Sequence, residues 1–182
     1  MPKQHRYIAF LRAINVGGRV VKMDRLRAIF EALGFGDVST FIASGNVAFT
    51  SGSTDTPAME RRIEKALHEA LGYKVETFVR TPAELAAAVE HDPFEEPAET
   101  HSLLLGFLAA APSPDVRLAV AVTGTDVDDL RVHGRELYWR CHTRISESQV
   151  KTKELDRILG APMTTRNVTT IRKLVAKYGA TA

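Results

Sequence analysis

The chain has 182 residues, 45% of them apolar and 25% charged, which is enough to bury a core as one domain or as two small halves. Its 24 lysines and arginines against 22 acidic residues give a net charge of only +2, so only local clustering could make it a binder of polyanions. The single cysteine, Cys141, excludes an internal disulfide framework and favours a reducing compartment. No apolar run reaches membrane-spanning length and no signal-like segment is found, so we expect a cytoplasmic protein.

Residues 1–80 carry the alternating patterns of a ferredoxin-like half. A continuous apolar run over 7–14 predicts a strand that is covered on both faces. Gly34 and Gly72 each stand where a helix would end. The order strand, helix, strand, strand, helix, strand is that of the split βαβ unit. The predicted strands span 7–14, 38–43, 47–50 and 73–80, and the predicted helices span 23–33 and 56–71.

Residues 81–100 predict a connection between two halves of an α+β protein. A capping box at Thr81 and Glu84 begins a short helix, and an acidic linker with two prolines follows over 91–97. Residues 101–182 then predict a second α+β half with C-terminal helices. Because we find no last strand, this second ferredoxin-like half is expected to be incomplete. Its predicted strands span 102–109, 129–132 and 136–141, and its predicted helices span 114–122, 154–159 and 167–178.

Two polar turns are the main candidates for a ligand site. In a ferredoxin-like half the third strand lies antiparallel between the first and the second, so the end of strand one and the turn after strand two meet at one edge of the sheet. Glycines there let a ligand approach backbone amides, and uncharged polar side chains offer donors and acceptors. Tight turns need the same residue types, so a purely structural role stays open. The candidate ligand-binding residues are Arg12, Asn15, Gly17, Gly18, Lys22, Ser44, Gly45 and Asn46.

A second candidate lies before the last predicted helix. Thr165, Arg166 and Asn167 would stand at its N-terminus, where unpaired N–H groups favour an anion. The alternative is a capping threonine and an arginine paired with an acidic neighbour. The C-terminal quarter is also basic, which either serves a phosphate-rich partner or is a solvated helix face. Its basic residues are Lys151, Lys153, Arg157, Arg172, Lys173 and Lys177.

No catalytic residue or metal site emerges from the sequence. Cys141 and His142 are neighbours on a predicted strand and point to opposite faces, so they do not form a nucleophile and base pair. The six histidines lack the spacing of a zinc site. Neither a phosphate-loop nor a dinucleotide fingerprint is present. We therefore expect no metal and no cofactor, and the sequence leaves open whether the protein is an enzyme.

Six segments together resemble the bacterial family known as domain of unknown function 1697. The resemblance covers nearly the whole chain, with Ala13 where the family usually has glycine and Val168 where it often has tryptophan. It implies an α+β protein similar to tandem ferredoxin-like halves, and it implies no established activity. The segments are Phe10–Gly18, Met23–Arg27, Leu33–Phe35, Val38–Phe49, Thr164–Asn167 and Lys173–Leu174.

These observations leave three functional hypotheses. The first is a binding protein whose polar turns and basic C-terminal segment accept a phosphorylated ligand, either a nucleic acid or a nucleotide. The second is an enzyme that acts on a small anionic metabolite at a crevice between the halves, with Arg12, Lys22 and Arg166 as electrostatic stabilisers. The third is a protein–protein interaction module, which an apolar exposed patch would favour.

Overall fold

The computed structural model describes residues 3–42, 45–94 and 102–179. The chain divides into two compact units, the first formed by Met1–Ala86 with Leu174–Ala182 and the second by Ala87–Lys173. We call them unit 1 and unit 2. Among the described residues no helix is both long and apolar enough to cross a membrane. The last part of the predicted linker, residues 95–97, lies outside the described ranges.

Unit 1 has the predicted ferredoxin-like order. Its sheet runs β2-β3-β1-β4, and every neighbouring pair is antiparallel. The strand predicted over 7–14 ends early, at Leu11, because the chain turns at Ala13, which has a φ of +52°. Arg12 therefore begins a loop and is not part of a strand. The elements are β1 (His5–Leu11), α1 (Met23–Ala32), β2 (Gly36–Thr40), β3 (Asn46–Ser51), α2 (Thr56–Leu71) and β4 (Thr77–Arg80).

Helices α1 and α2 supply the apolar core of unit 1. Leu26 and Phe30 of α1 are buried with Met59, Ile63 and Leu67 of α2. They belong to one cluster with the inward side chains of the sheet, in which the Phe35 and Phe49 rings lie 4.4 Å apart. This packing fixes the position of the β-strands of unit 1. The loops that connect the strands are therefore anchored to a rigid sheet.

Two glutamates of α2 protect the outer edge of β4. Strand β4 pairs only with β1, so the amides on its other side have no strand partner within the sheet. Glu60 accepts a hydrogen bond from the Val79 amide at 2.7 Å, and Glu64 accepts one from the Thr77 amide at 2.9 Å. Because an exposed strand edge invites pairing with other chains, these carboxylates both satisfy the backbone and close the edge.

Unit 2 repeats the same topology in full. Its sheet runs β6-β7-β5-β8 with antiparallel neighbours throughout. The prediction of an incomplete second half is therefore wrong, because β8 pairs with β5 as the fourth strand. The elements are β5 (Ser102–Phe107), α4 (Pro114–Ala121), β6 (Asp128–His133), β7 (Glu136–Cys141), α5 (Thr152–Leu159) and β8 (Thr164–Asn167).

Two further helices contribute residues to both units. Helix α3 (Pro82–Glu90) begins in unit 1, and helix α6 (Val168–Tyr178) ends there. Within unit 1 the end of α6 lies beside β2, because the hydroxyls of Tyr178 and Ser39 share a hydrogen bond of 2.9 Å. The basic C-terminal segment therefore reaches the sheet that carries the two polar turns.

We predict that Glu60→Ala destabilises the protein by about 1–3 kcal/mol, because it leaves the buried Val79 amide without an acceptor. Urea unfolding followed by circular dichroism measures the change. Glu69→Ala is the matched control, since Glu69 lies exposed on the same helix in a long ion pair with Lys65 and should cost less than about 1 kcal/mol. Equal losses in both variants would contradict the role given to Glu60.

Candidate functional site

The two polar turns of unit 1 lie against each other. The Leu11 amide donates a hydrogen bond of 2.8 Å to the Gly45 carbonyl oxygen, which joins the end of β1 to the turn before β3. Gly45 has a φ of +76°, and a Cβ atom built on it would lie 2.8 Å from Cγ2 of Ile14. The approach therefore requires glycine, for backbone conformation as well as space. We call loop 12–22 and turn 41–46 together the paired turns.

Hydrogen bonds tie loop 12–22 to the rest of unit 1 and also close the loop on itself. The Arg12 amide donates to the Glu76 carbonyl oxygen at 2.9 Å, and the Tyr73 hydroxyl donates to the Ile14 carbonyl oxygen at 3.0 Å. The Asn15 side chain accepts from the Val21 amide at 2.8 Å and so closes the loop on itself. Asn15 therefore has a structural role in the loop, whether or not it also contacts a ligand.

Two glycines at the tip of this loop are open to their surroundings. Gly17 and Gly18 have φ values of +70° and +81°, and a Cβ atom on either would meet no atom within 4 Å. Their conformation is one that favours glycine, and both residues are exposed. The backbone at the tip of the loop is therefore accessible to solvent.

Basic residues surround the paired turns, and no acidic residue occurs within 12–22 or 41–46. The Arg19 guanidinium lies over the Tyr73 ring, 4.1 Å from its centroid, and Lys22 is exposed before α1. Lys177, from the end of α6, places its ammonium 5.5 Å from the centroid of the Phe41 ring. The nearest acid along the chain, Asp24, is paired with Arg27. The charged residues within the paired turns are therefore all basic.

Exposed apolar side chains are concentrated on the same turns. Val16, Val20 and Ile42 expose 61%, 83% and 51% of their surface. They make up half of the exposed large apolar residues in the described part of the chain; the others are Leu118, Val122 and Ile145. The paired turns therefore combine positive charge with apolar contact area.

Backbone strain is found in both turns. Ala13 has a φ of +52° and Ile42 a φ of +58°, a conformation that is uncommon for alanine and an outlier for a β-branched residue. The family resemblance places glycine at position 13, which would adopt this φ without strain. Such strain persists only where the surroundings impose it, and it is concentrated at functional sites.

Asn46 holds the second turn together through hydrogen bonds to Phe41. Asn46 is buried, and its side-chain amide donates a hydrogen bond of 3.0 Å to the Phe41 carbonyl oxygen. The Phe41 amide donates in return to the Asn46 carbonyl oxygen at 2.9 Å. Ser44, the remaining candidate of this turn, lies outside the described residues.

Thr165, Arg166 and Asn167 directly precede the last helix, but they do so as the end of a strand. They belong to strand β8 of unit 2, in which Arg166 pairs with Leu105. Nη1 of Arg166 donates to Oγ1 of Thr164 at 2.8 Å and to the Thr165 carbonyl oxygen at 2.7 Å, and burial lowers its pKa to about 10. Asn167 alone has a capping position, because its side chain accepts from the Thr169 amide at 2.9 Å.

The segment from Tyr138 to His142 is held by two aspartates that the sequence analysis did not single out. Asp128 is fully buried and accepts from the Trp139 indole at 2.9 Å, while Asp129 accepts from Arg140 at 2.7 Å and is hydrogen-bonded to His142. Cys141 is buried. No group of three metal-ligating side chains is found in the described residues.

Fold and site define the class as an α+β protein of two ferredoxin-like units with a basic, strained loop edge on the first. The family described as Protein of unknown function (DUF1697) matches residues 4–138, and the chain belongs to that family. Among solved structures, conserved bacterial protein SP0830 from Streptococcus pneumoniae is similar in fold. The TM-score is 0.70 and the identity 23%, with 96% of this chain and 98% of that chain covered. No curated protein matches the chain.

We predict that Gly45→Ala destabilises the protein by about 2 kcal/mol or more. Alanine would have to adopt the left-handed backbone conformation at this position, and its Cβ atom would clash with Ile14. Gly34→Ala is the control. Gly34 has a φ of +82° but open space at the Cβ position, so only the conformational cost of about 1–2 kcal/mol applies. Thermal and urea unfolding compare the two variants. Identical costs would show that the contact between the turns does not require glycine.

We predict that Asp128→Asn costs about 1–3 kcal/mol at neutral pH, because the carboxylate anchors Trp139 and the Gln149 amide. Burial by itself raises the pKa of Asp128, but hydrogen bonds from Trp139, Ser148, Thr125 and Gln149 outweigh it and hold the pKa below its ordinary value. The stabilisation is therefore complete above the ordinary pKa of about 3.9 and is lost as the pH falls through the folded-state pKa.

Fluorescence of Trp139, the only tryptophan in the chain, follows this unfolding directly. The stability difference between the wild-type protein and Asp128→Asn should narrow below about pH 4. Asp126→Asn changes an exposed aspartate just before β6 and should have little effect on stability at any pH. A stability difference that does not change with pH would contradict this account of Asp128.

Proposed function

We propose that this protein binds a phosphorylated ligand, a nucleotide or a single-stranded nucleic acid, at the paired turns of unit 1. The observation that carries the proposal is the positively charged edge formed there. Arg19 and Lys22 lie on the loop, Lys177 lies beside Phe41, and no acidic residue occurs within the paired turns. Several cations on one surface, with no carboxylate in the turns themselves, are what phosphate recognition uses.

Open backbone at the loop tip supports phosphate as the charged group. Gly17 and Gly18 have no neighbouring atom where a side chain would stand. A phosphate oxygen can therefore approach their peptide groups closely, and successive N–H groups in turns of this kind form anion-binding concavities. Arg12 lies at the base of the loop, where its backbone amide donates to the Glu76 carbonyl oxygen.

The apolar side chains support a ligand with a planar or apolar part in addition to its phosphate. The Arg19 guanidinium lies over the Tyr73 ring, while the residue remains exposed. Single-stranded bases stack on guanidinium planes and on aromatic rings. Val16 and Ile42 offer exposed apolar surface on the same paired turns. Inorganic phosphate would leave these groups unused.

A filter-binding titration with a short single-stranded RNA at two salt concentrations tests the proposal. We expect affinity to fall as salt rises, with a logarithmic slope of about −0.7 for each phosphate that is neutralised. Arg19→Gln should weaken binding by roughly fivefold to tenfold and reduce the slope by about 0.7, because it removes both a phosphate contact and a stacking plane. Lys22→Gln should reduce the slope without removing a stacking contact.

Arg61→Gln and Lys65→Gln are the matched controls, because both residues lie exposed on α2 and outside the paired turns. They should change affinity by less than about twofold. Binding without salt dependence, or binding that Arg19→Gln and Arg61→Gln weaken equally, would refute the proposed site. Arg166→Ala should lower the stability of the protein and leave the salt dependence of RNA binding unchanged, since Arg166 is hydrogen-bonded within β8.

A further inference from the structure

A second candidate site lies at the opposite end of β1 from the paired turns. A cleft of about 640 Å³ opens in unit 1 beside His5, where β1 begins, and loop 12–22 follows Leu11, where β1 ends. The chain preceding β1, the first turns of α3 and the end of α6 line the cleft. It shares no residue with the paired turns, and its volume falls in the range typical of small-molecule sites.

Small side chains leave this space open. Helix α3 contributes Ala83 and Ala86, and α6 contributes Val175 and Ala176. The helices are held in place by buried neighbours of these residues, Leu85 on α3 and Leu174 on α6, which are fully buried. The cleft is therefore open because the residues that face it are small, and not because the helices are loosely packed. Its aliphatic walls favour the binding of a hydrocarbon group.

The charged residues of the cleft are all basic. Lys3, His5 and Arg6 line it, and no acidic residue does. Arg6 is already paired with Asp37 at 3.2 Å, so its charge is largely balanced. Lys3 is exposed and forms no ion pair with any described residue.

The acidic residue of α3 nearest to the cleft, Glu84, caps its own helix. Glu84 accepts hydrogen bonds from the Thr81 amide at 2.8 Å and from the Thr81 hydroxyl at 3.0 Å, which completes the capping box of α3. Glu84 itself does not line the cleft. Of the lysine and arginine that do, Arg6 is paired with Asp37, so Lys3 is the cation that the lining offers to a ligand, beside an aliphatic wall. This combination fits a single negative charge on an apolar body.

We propose that this cleft binds a small amphipathic carboxylate, with its carboxylate at Lys3 and its hydrocarbon body against Ala86 and Ala176. An ammonium is a point charge that a carboxylate can satisfy, whereas a phosphate would need several converging donors. Burial of the hydrocarbon body supplies most of the affinity, and the charge at Lys3 sets its orientation. The inference is independent of the function proposed for the paired turns.

Titration of the full-length, isotope-labelled protein with decanoate, followed by NMR, tests this inference. We expect saturable shifts of the backbone amides of residues 3–6, 83–86 and 175–179, with loop 12–22 unaffected. Decanol, which has the same chain without the charge, should bind about fivefold more weakly, and acetate should cause no saturable shift. Decanol binding as tight as decanoate would overturn the role of Lys3, and shifts that never saturate would overturn the site.

Two pairs of variants separate the site from general effects on the protein. Ala176→Phe fills the cleft and should abolish decanoate binding, whereas Ala32→Phe, at an exposed position at the end of α1, should leave it unchanged. Lys3→Gln should weaken decanoate about fivefold and leave decanol unchanged, and Lys65→Gln should affect neither. Decanoate binding that survives Ala176→Phe in the folded protein would overturn the proposal.

The same variants distinguish this inference from the proposed function. Arg19→Gln should leave decanoate binding intact, and Ala176→Phe should leave RNA binding intact. Loss of both activities in either variant would contradict two independent sites. Circular dichroism and the dispersion of the NMR spectrum establish that each variant is folded before its binding is compared.

Discussion

The close packing of Gly45 on the end of β1 is the constraint on which the candidate site depends. A hydrogen bond joins the Leu11 amide to Gly45, and the absence of a side chain at Gly45 lets the turn lie against Ile14. Any larger residue would push the second turn away from loop 12–22. Because the sheet order already brings both turns to one edge, this single contact decides whether they form one surface or two.

In both units, buried carboxylates accept hydrogen bonds that stabilise the fold. These acidic groups therefore lie inside the protein and not on its surface. Glu60 holds the open edge of β4, and Asp128 anchors the Trp139 indole. A carboxylate in such a position has its oxygens filled by backbone and side-chain donors, so it is a fixed part of the fold. Acidic residues are absent from the paired turns, where the exposed basic residues lie. The chain is nearly neutral as a whole, yet the charged residues within the paired turns are all basic.

Sequence reasoning succeeded where a pattern was long and failed where it was short. The periodic apolar positions of α2 and the run that forms β1 extend over several residues, so their signals were clear. Strand β8 is four residues long, contains mostly polar side chains and continues directly into α6, so neither alternation nor a turn marked it. Because the strand was missed, the pairing of Arg166 with Leu105 just before α6 was missed as well.

Contacts between residues far apart in sequence were also beyond local patterns. The meeting of the two turns followed from topology and could be predicted, but the stacking of Arg19 on Tyr73 and the position of Lys177 beside Phe41 depend on tertiary packing. The ligand class that we propose for the paired turns depends on these contacts. An exposed lysine is screened by salt and contributes mainly to the rate of encounter, whereas a guanidinium held by a ring loses little freedom when a base stacks on it. Under the proposed function, a ligand that combines phosphate with a planar group would gain from both kinds of contact, and inorganic phosphate would gain from only the weaker one.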